Sequence, residues 1–272
     1  MILQYTSSNG QTYDLKVGHI RTRTANYHSY QWNPKVVEQQ YGARVYRFDK
    51  AATTYTTLLS VFGSLDDRRR WLNLLHAAFE HDIINMTPGT ITHGVYSIQC
   101  YVVVSDTFYE NPFTQNQIEI FCPYPFWRKT TKHSYGTAET PEYEFLDFPY
   151  GFEYDYKAKL IGYKVVEVAS VKAADWELTI HGHAVDPVVY LGGIAVGVNA
   201  MIGATEKVVI SSKDKTVTKI SANGMKTNLF NARLKTASIF SPLPSGPVGV
   251  MWPGTFALDL TVYEERSEPL WI

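Results

Sequence analysis

The chain carries a net charge of only −1 over 272 residues, and it has no long run of one sign. That balance excludes a basic surface built to grip nucleic acid or anionic lipid, although DNA can still slide past without being held. Apolar runs are short too, and none reaches the roughly 20 residues of a spanning helix. The opening Met1-Ile2-Leu3-Gln4-Tyr5 lacks the basic region and long apolar stretch of a secretory signal. The expectation is a chain made and folded in a cytoplasm, with no membrane partner. Cysteine is scarce, with only Cys100 and Cys122. Both fall on predicted strands and read as buried thiols, with a disulfide as the alternative, and a pair of cysteines makes a poor zinc site.

Motifs that carry chemistry are equally sparse. Gly192–Gly197 is glycine-rich, but its spacing is not that of a phosphate-binding loop and no helix follows, so it reads as a hairpin loop. Ser245-Gly246 and Ser7-Ser8 lack a nucleophile-elbow frame. Glu264-Glu265, Glu142 and Glu144 are the nearest thing to paired carboxylates, and nothing in their spacing sets two of them across a cleft. His181-Gly182-His183, with Asp186 close behind, places two imidazoles on one strand face. That is either a partial metal site, the basis of a metal-dependent hydrolase reading, or a pair of partly exposed strand histidines. Trp176, Trp252 and Trp271 are either core and interface residues or platforms for sugar rings. Arg68-Arg69-Arg70 reads as a solvated helix face or subunit contact, with phosphate binding as the alternative. No catalytic, cofactor or metal residue is therefore assigned, and no enzyme is expected.

What is abundant is strand-forming material. Apolar residues make up 45% and aromatics 14%, with 19 tyrosines, and Thr, Val and Tyr recur in alternating runs. One helix stands out, Ser64–Ile84. Ser64 is its N-cap, Asp66 and Asp67 sit in its first turn, and Trp71, Leu74, Leu75 and Ala78 form a stripe extended by Leu72 and Phe79. Arg68, Arg69, Asn73 and Glu80 fall outside that stripe, and Pro88-Gly89 reads as the turn after it. Strands are predicted at Arg44–Phe48, Tyr55–Phe62, Val95–Val103 and Gln117–Phe121. In the second half they are predicted at Tyr143–Phe148, Gly162–Val171, Trp176–His181, Val188–Leu191, Lys207–Ser211, Thr216–Ile220 and Thr255–Tyr263, with turns at Asp214-Lys215 and Asn223-Gly224.

Two stretches break this pattern. Ile20–Trp32 alternates Thr, Arg, Tyr, His and Ser with few aliphatics. A strand pair polar on both faces cannot sit in a core, so it reads as a projecting arm that packs on something outside its own domain. Arg21, Arg23, Tyr27, Tyr30 and Trp32 are its candidate contact residues. Around Phe121-Cys122-Pro123-Tyr124-Pro125-Phe126-Trp127, two prolines end a strand among aromatics, and the polar, Thr-rich Arg128–Pro141 follows. That reads as a seam. Residues 1–135 form an N-terminal domain with one α-helix, residues 136–272 form an all-β second domain, and the fold class is mainly β.

The segments Asp82–Asn85, Pro88–Ile91, Gly94–Tyr101 and Ile118–Trp127 together resemble the siphophage distal tail protein family, also called Dit. Ser8–Leu15 is similar to that family's first strand. Pro244-Ser245-Gly246, Trp252, Gly254-Thr255-Phe256 and Tyr263–Ile272 are similar to its end. The resemblance implies an N-terminal β-sandwich or split barrel with one helix and a C-terminal galectin-like, jelly-roll β-sandwich. It implies a structural virion protein of a long-tailed phage or prophage, assembled in the host cytoplasm and placed at the tail tip in the baseplate. Six copies would close into a homohexameric ring that docks on the tail tube protein. On its other side the ring would hold the tail-associated lysin or hub, with receptor-binding proteins attached further out. The tape measure protein and DNA would pass through the lumen. The competing reading is a carbohydrate-binding module that contacts host cell-wall sugar through Trp176 or Trp252, since a lectin-like fold does not by itself confer sugar binding.

Overall fold

The computed structural model describes residues 2–109, 112–137 and 162–271. They divide into two compact units, Met1–Lys129 with Glu265–Ile272, and Thr130–Glu264. Both are antiparallel β structures, and the first contains the one α-helix among the described residues.

In the first unit the strands are β1 (Leu3–Thr6), β2 (Thr12–Asp14), β3 (Ile20–Ala25), β4 (Asn33–Glu38), β5 (Ala43–Asp49) and β6 (Thr53–Val61). After helix α1 (Leu65–Ile84) come β7 (Gly89–His93), β8 (Tyr96–Tyr109), β9 (Thr114–Cys122) and β10 (Trp127–Tyr135), the last running on past the unit's boundary. The long β8 belongs to two sheets. Its first half pairs with β7, which continues to β1 and β2. Its second half pairs with β9, which continues to β6 and β3. The partner changes between Cys100 and Tyr101, and just after it the register slips between Val102 and Val104, a bulge that bends the strand.

Alternation decides what these strands bury. On β9 the inward residues are Thr114, Asn116, Ile118, Ile120 and Cys122, and on β8 they are Tyr96, Ile98, Cys100 and Val102. Leu72, Leu75, Ala78 and Phe79 of α1 join Tyr5, Tyr55, Leu59, Ile91 and Trp127 in the same core. The helix starts as its sequence dictates. Ser64 Oγ accepts the Asp67 N–H at 3.2 Å, while the Asp67 carboxylate accepts the Ser64 N–H at 3.2 Å. Removing one half of this box by Ser64→Ala is expected to cost about 1 kcal/mol of stability, read as a lower denaturant midpoint. An unchanged midpoint would mean that tertiary packing alone sets this helix end.

Three expectations are corrected here. Leu74 is exposed, whereas Arg68 is buried and donates to Thr114 Oγ1 at 3.3 Å. The stripe of α1 therefore turns toward Arg68 and Asp82, which stand at its two ends and also lie inside. The polar, Thr-rich stretch from Arg128, placed at the seam, begins as regular strand, because β10 runs on to Tyr135 with its β-branched threonines in place. Finally, Gly89 opens β7 and is a point of close approach. A β-carbon there would overlap the Asp82 carboxylate and lie 2.7 Å from the Tyr5 hydroxyl.

The second unit contains β11 (Gly162–Val168), β12 (Asp175–His181), β13 (Ala184–Val185), β14 (Val188–Leu191), β15 (Ile194–Gly197), β16 (Met201–Ile202) and β17 (Lys207–Ser211). It continues with β18 (Thr216–Ile220), β19 (Lys226–Asn228), β20 (Gly246–Trp252) and β21 (Leu258–Arg266), the last of which runs back into the first unit. Five strands form one sheet in the order β19-β18-β17-β12-β21, and four form another in the order β11-β20-β14-β15. Trp176, Leu178, Ile180, Val208, Ile210, Leu258 and Leu260 from the first sheet share a core with Val166, Val189, Leu191, Val196, Val248 and Val250 from the second. This is a β-sandwich. The β14–β15 hairpin turns on Gly192 and Gly193, whose φ values of 56° and 86° suit a two-residue turn. The predicted strand Tyr143–Phe148 lies outside the described residues, as do Glu142 and Glu144.

Candidate assembly surface

One feature of the first unit stands apart from its core. Strands β4 and β5 pair only with each other. The turn between them closes with Gln39 N–H donating to Gly42 O at 2.9 Å, and Gly42 takes a positive φ of 79°. The register pairs Pro34 with Phe48 and Val36 with Val45 on one face, and Asn33 with Asp49, Lys35 with Arg47 and Val37 with Arg44 on the other. The slip between Lys35 and Val36 leaves Tyr46 as the extra residue on β5. The second face is tied together by charge, since Asp49 meets Arg47 at 2.7 Å and Lys35 at 3.9 Å. Among the described residues nothing covers the first face. Phe48 is 57% exposed, Val45 44% and Val36 42%. An isolated two-stranded hairpin is marginal in water, and one with a bare apolar face has no stability argument of its own.

The hairpin is nevertheless held firmly at its base. The Lys50 ammonium lies 4.4 Å from the Phe126 ring centroid, 5.5 Å from Trp32 and 5.7 Å from Tyr30. Phe126 belongs to the Pro-Tyr-Pro-Phe-Trp elbow, whose other aromatics anchor elsewhere. Tyr124 Oη donates to Glu265 Oε2 at 2.6 Å, and Trp127 Nε1 donates to Tyr55 Oη at 3.1 Å. Arg128 completes the elbow with Nη2 2.7 Å from the buried Glu265 carboxylate. The elbow is thus a clamp that fixes the root of β4 and β5.

This arrangement moves the projecting arm. Ile20–Trp32 does not stand clear, because β3 pairs with β6 from Ile20↔Val61 to Ala25↔Thr57. Arg21 and Arg23 lie over Phe62, and Arg23 also lies over Phe113, 5.0 Å from its centroid. Tyr27 is buried in the core, and Tyr30 and Trp32 frame Lys50. The polar strand is tolerated because Thr22 donates its hydroxyl to Leu15 O at 2.8 Å and the arginine stems cover aromatic rings. The segment that projects is the one after it. Its signal was available in the paired apolar residues of 34–36 and 45–48 around a Gly-containing turn, but the bulge at Tyr46 breaks the alternation of β5.

The sheet β3-β6-β9-β8 adds a second surface. On the side away from β9, no strand pairs with Tyr101–Tyr109 among the described residues, and Val103, Val104, Phe108 and Tyr109 are exposed there. Such an apolar edge is a template for another strand.

The remaining candidates resolve as structure. Trp176 and Trp252 are 1% and 4% exposed, so neither ring face can receive a sugar. Trp176 Nε1 donates to Ser241 O at 2.9 Å, and Trp252 packs on Tyr135. Trp271 is exposed and stacks on His28 at 3.8 Å. His181 Nε2 lies 3.1 Å from Asp259 Oδ2, whereas His183 lies beyond the end of β12 and does not share its face. Among the described residues no group of three or more His, Cys, Asp or Glu is placed to hold a metal. Burial alone would raise the Asp259 carboxyl, but hydrogen bonds from Ser134, Lys132 and His181 outweigh it and hold the group at about 2. Glu264 accepts the Ala169 N–H at 3.1 Å, and Glu265 is engaged by Tyr124 and Arg128. Cys100 and Cys122 are free and buried, and the neighbouring Cys122 thiol together with burial pushes the Cys100 thiol up.

No family model and no curated protein matches the sequence. Solved structures do match it. The phage SPP1 Dit (gp 19.1) protein, a paradigm of the hub adsorption apparatus in phages that infect Gram-positive bacteria, aligns with a TM-score of 0.61 at 13% identity, over 98% of this chain and 100% of that one. A chain of the phage P2 baseplate, in its activated conformation with Ca, aligns with a TM-score of 0.59 at 9% identity, over 99% of this chain and 100% of its own length. The same baseplate with Sr gives 0.59 at 10% identity. Over nearly its whole length, therefore, the chain has the fold of these phage hub and baseplate proteins.

Proposed function

We propose that this chain is a structural virion protein, the distal tail protein of a long-tailed phage or prophage, and that it works by assembly and not by catalysis. Six copies close into a ring at the tail tip. The ring joins the tail tube to the tail-associated lysin or hub and to the receptor-binding apparatus, and it lets the tape measure protein and DNA pass. Residues 1–135 supply the ring and residues 136–272 face outwards. The observation that carries this reading is the β4–β5 hairpin, rigid at its root and uncovered on its apolar face. An element of that kind gains its stability from a partner. A contact that seats the hairpin of one copy on a different surface of the next is head-to-tail, and a head-to-tail contact that closes makes a ring. A net charge of −1 suits a lumen through which DNA must slide.

Light scattering and negative-stain microscopy test the proposal. The expected result is six-fold rings, formed by the protein alone or after mixing with the cognate tube protein. A strict monomer at high concentration, with and without tube protein, would overturn it.

A further inference from the structure

Two histidines of the first unit sit behind an exposed tryptophan. His93 closes β7 and is 7% exposed, and its Nδ1 is buried with no hydrogen-bond partner. His28 follows β3, and its Nδ1 is also buried and unpartnered. The two rings meet at 5.5 Å and 84°. On the inner side His93 packs edge to face with Tyr27 and Trp127, at 6.0 and 6.2 Å. On the outer side His28 stacks on Trp271 at 3.8 Å, and Trp271 is 76% exposed. The order from solvent to core is therefore Trp271, His28, His93, Trp127.

A buried polar atom without a partner is rare enough to need a reason. Imidazoles placed in this way suit only the neutral form, because a cation there would lose its water and gain no carboxylate. Among the described residues no ion pair includes either ring. The charged groups that face His93 are His28, Lys16 and the N-terminal amino group, all cationic when protonated. Burial pushes the hydroxyls of Tyr27 and of Tyr55 behind it up, so both stay neutral, and Glu268 faces Tyr55. Burial first, and then these like charges, hold the His93 imidazole below its ordinary range.

We infer that His93, His28 and Trp271 form a proton-sensitive latch, which holds residues 267–271 on the first unit near neutral pH and releases them in mild acid. Parting the Trp271–His28 stack opens the outer side of His93 to water. Once hydrated, His93 returns to the ordinary histidine value of about 6.5. The open state therefore takes up the proton at the higher pH. The latch is complete above that value and weakens as pH falls through it toward the depressed value of the closed state. Release stops at the end of β21, because Tyr124 and Arg128 hold Glu265 in place.

Histidine NMR on the full chain, isotope-labelled in its imidazole rings, tests the latch. The His93 resonance is the one that His93→Gln removes. It is expected to titrate below the ordinary histidine range in the parent, and to move up toward that range in Trp271→Ala. The emission of Trp271 gives a second readout, taken in each background as the difference made by Trp271→Phe, since the chain has 6 tryptophans. It should change between about pH 7.5 and about pH 5.5 in the parent and stay constant in His93→Gln. Should His93→Gln fail to fold by circular dichroism, His93→Phe keeps a ring in the core and serves the same end. A His93 resonance that titrates in the ordinary range, or one that Trp271→Ala leaves unmoved, would overturn the latch. So would an emission change that persists without His93.

Discussion

A chain carrying Phe48→Asp and Val45→Asp is expected to fold normally and to sediment as a monomer under conditions where the parent forms rings. Both side chains are about half exposed in the single chain, so replacing them removes little packing within the molecule. Surface changes of this type shift stability by about 0.5 kcal/mol or less. Between copies the effect is large. Docking the apolar face would bury the exposed half of Phe48, Val45 and Val36, worth about 0.7–1.5 kcal/mol each. A carboxylate forced into the same contact adds an uncompensated desolvation cost. A loss of only about 4 kcal/mol per contact is already near a thousandfold in affinity, and a ring needs every contact to close. Sedimentation velocity measures the assembly state, and denaturant unfolding gives the folded-state control. If the double variant still forms rings, the hairpin is not the joining element. If it loses several kcal/mol of folding stability, the hairpin face is covered within its own chain and the premise fails.

How far such surfaces can be read from sequence depends on whether the deciding contacts are local. Val188–Leu191, Lys207–Ser211 and Thr216–Ile220 appear residue for residue as strands because short β-branched runs end at local turns, and in the first two one face carries the buried residues Val189, Leu191, Val208 and Ile210. The helix start at Ser64 was equally clear, since a capping box is complete within four residues. The hairpin was less so. Arg44–Phe48 reads as one strand, but its partner 33–38 carries Asn33, Pro34 and Lys35 and lacks a core pattern, because neither of its faces is buried. The Ile20–Trp32 segment failed in the opposite sense. Its polar look came from Arg21, Arg23 and Thr22, whose coverage by Phe62, Phe113 and Leu15 O depends on residues up to 90 positions away. Trp176 and Trp252 show the same limit, since alternation marks a face as inward but does not separate a core tryptophan from an exposed platform.

Nothing local marks Asp82 as a keystone, yet its substitution should be the most damaging single change in the first unit. The carboxylate is fully buried at the inner end of α1. Oδ1 accepts Ser7 Oγ at 2.7 Å, Ser8 N at 2.8 Å and Ser8 Oγ at 2.6 Å, while Oδ2 accepts the Tyr5 hydroxyl. These donors come from 74–77 positions earlier, so Asp82 pins the first strand and its following turn to the helix. Gly89 is part of the same design, because any side chain there would strike the carboxylate. Asp82→Ala leaves the buried Tyr5 and Ser7 hydroxyls without their acceptor, takes one from the part-buried Ser8 hydroxyl and N–H, and should cost about 3–5 kcal/mol. Asp82→Asn keeps the shape but loses the charge and should cost less. Burial by itself would raise the Asp82 carboxyl, but the Ser8, Tyr5 and Ser7 hydrogen bonds to the charged form outweigh it, and the group sits below its usual value. The unfolded chain therefore takes up this proton at a higher pH than the folded one. The stabilisation is complete above the ordinary aspartate range near pH 4 and is lost as pH falls through that range toward the depressed folded value. Asp259 and Glu206, also held low in the second unit, make the parent acid-sensitive on their own account. The quantity to measure is accordingly the difference in unfolding free energy between parent and Asp82→Asn at pH 7 and near pH 3. That difference should shrink on acidification, because the parent loses a charge the variant never had. A gap that stays constant across that range would show that Asp82 contributes through shape and not through its charge.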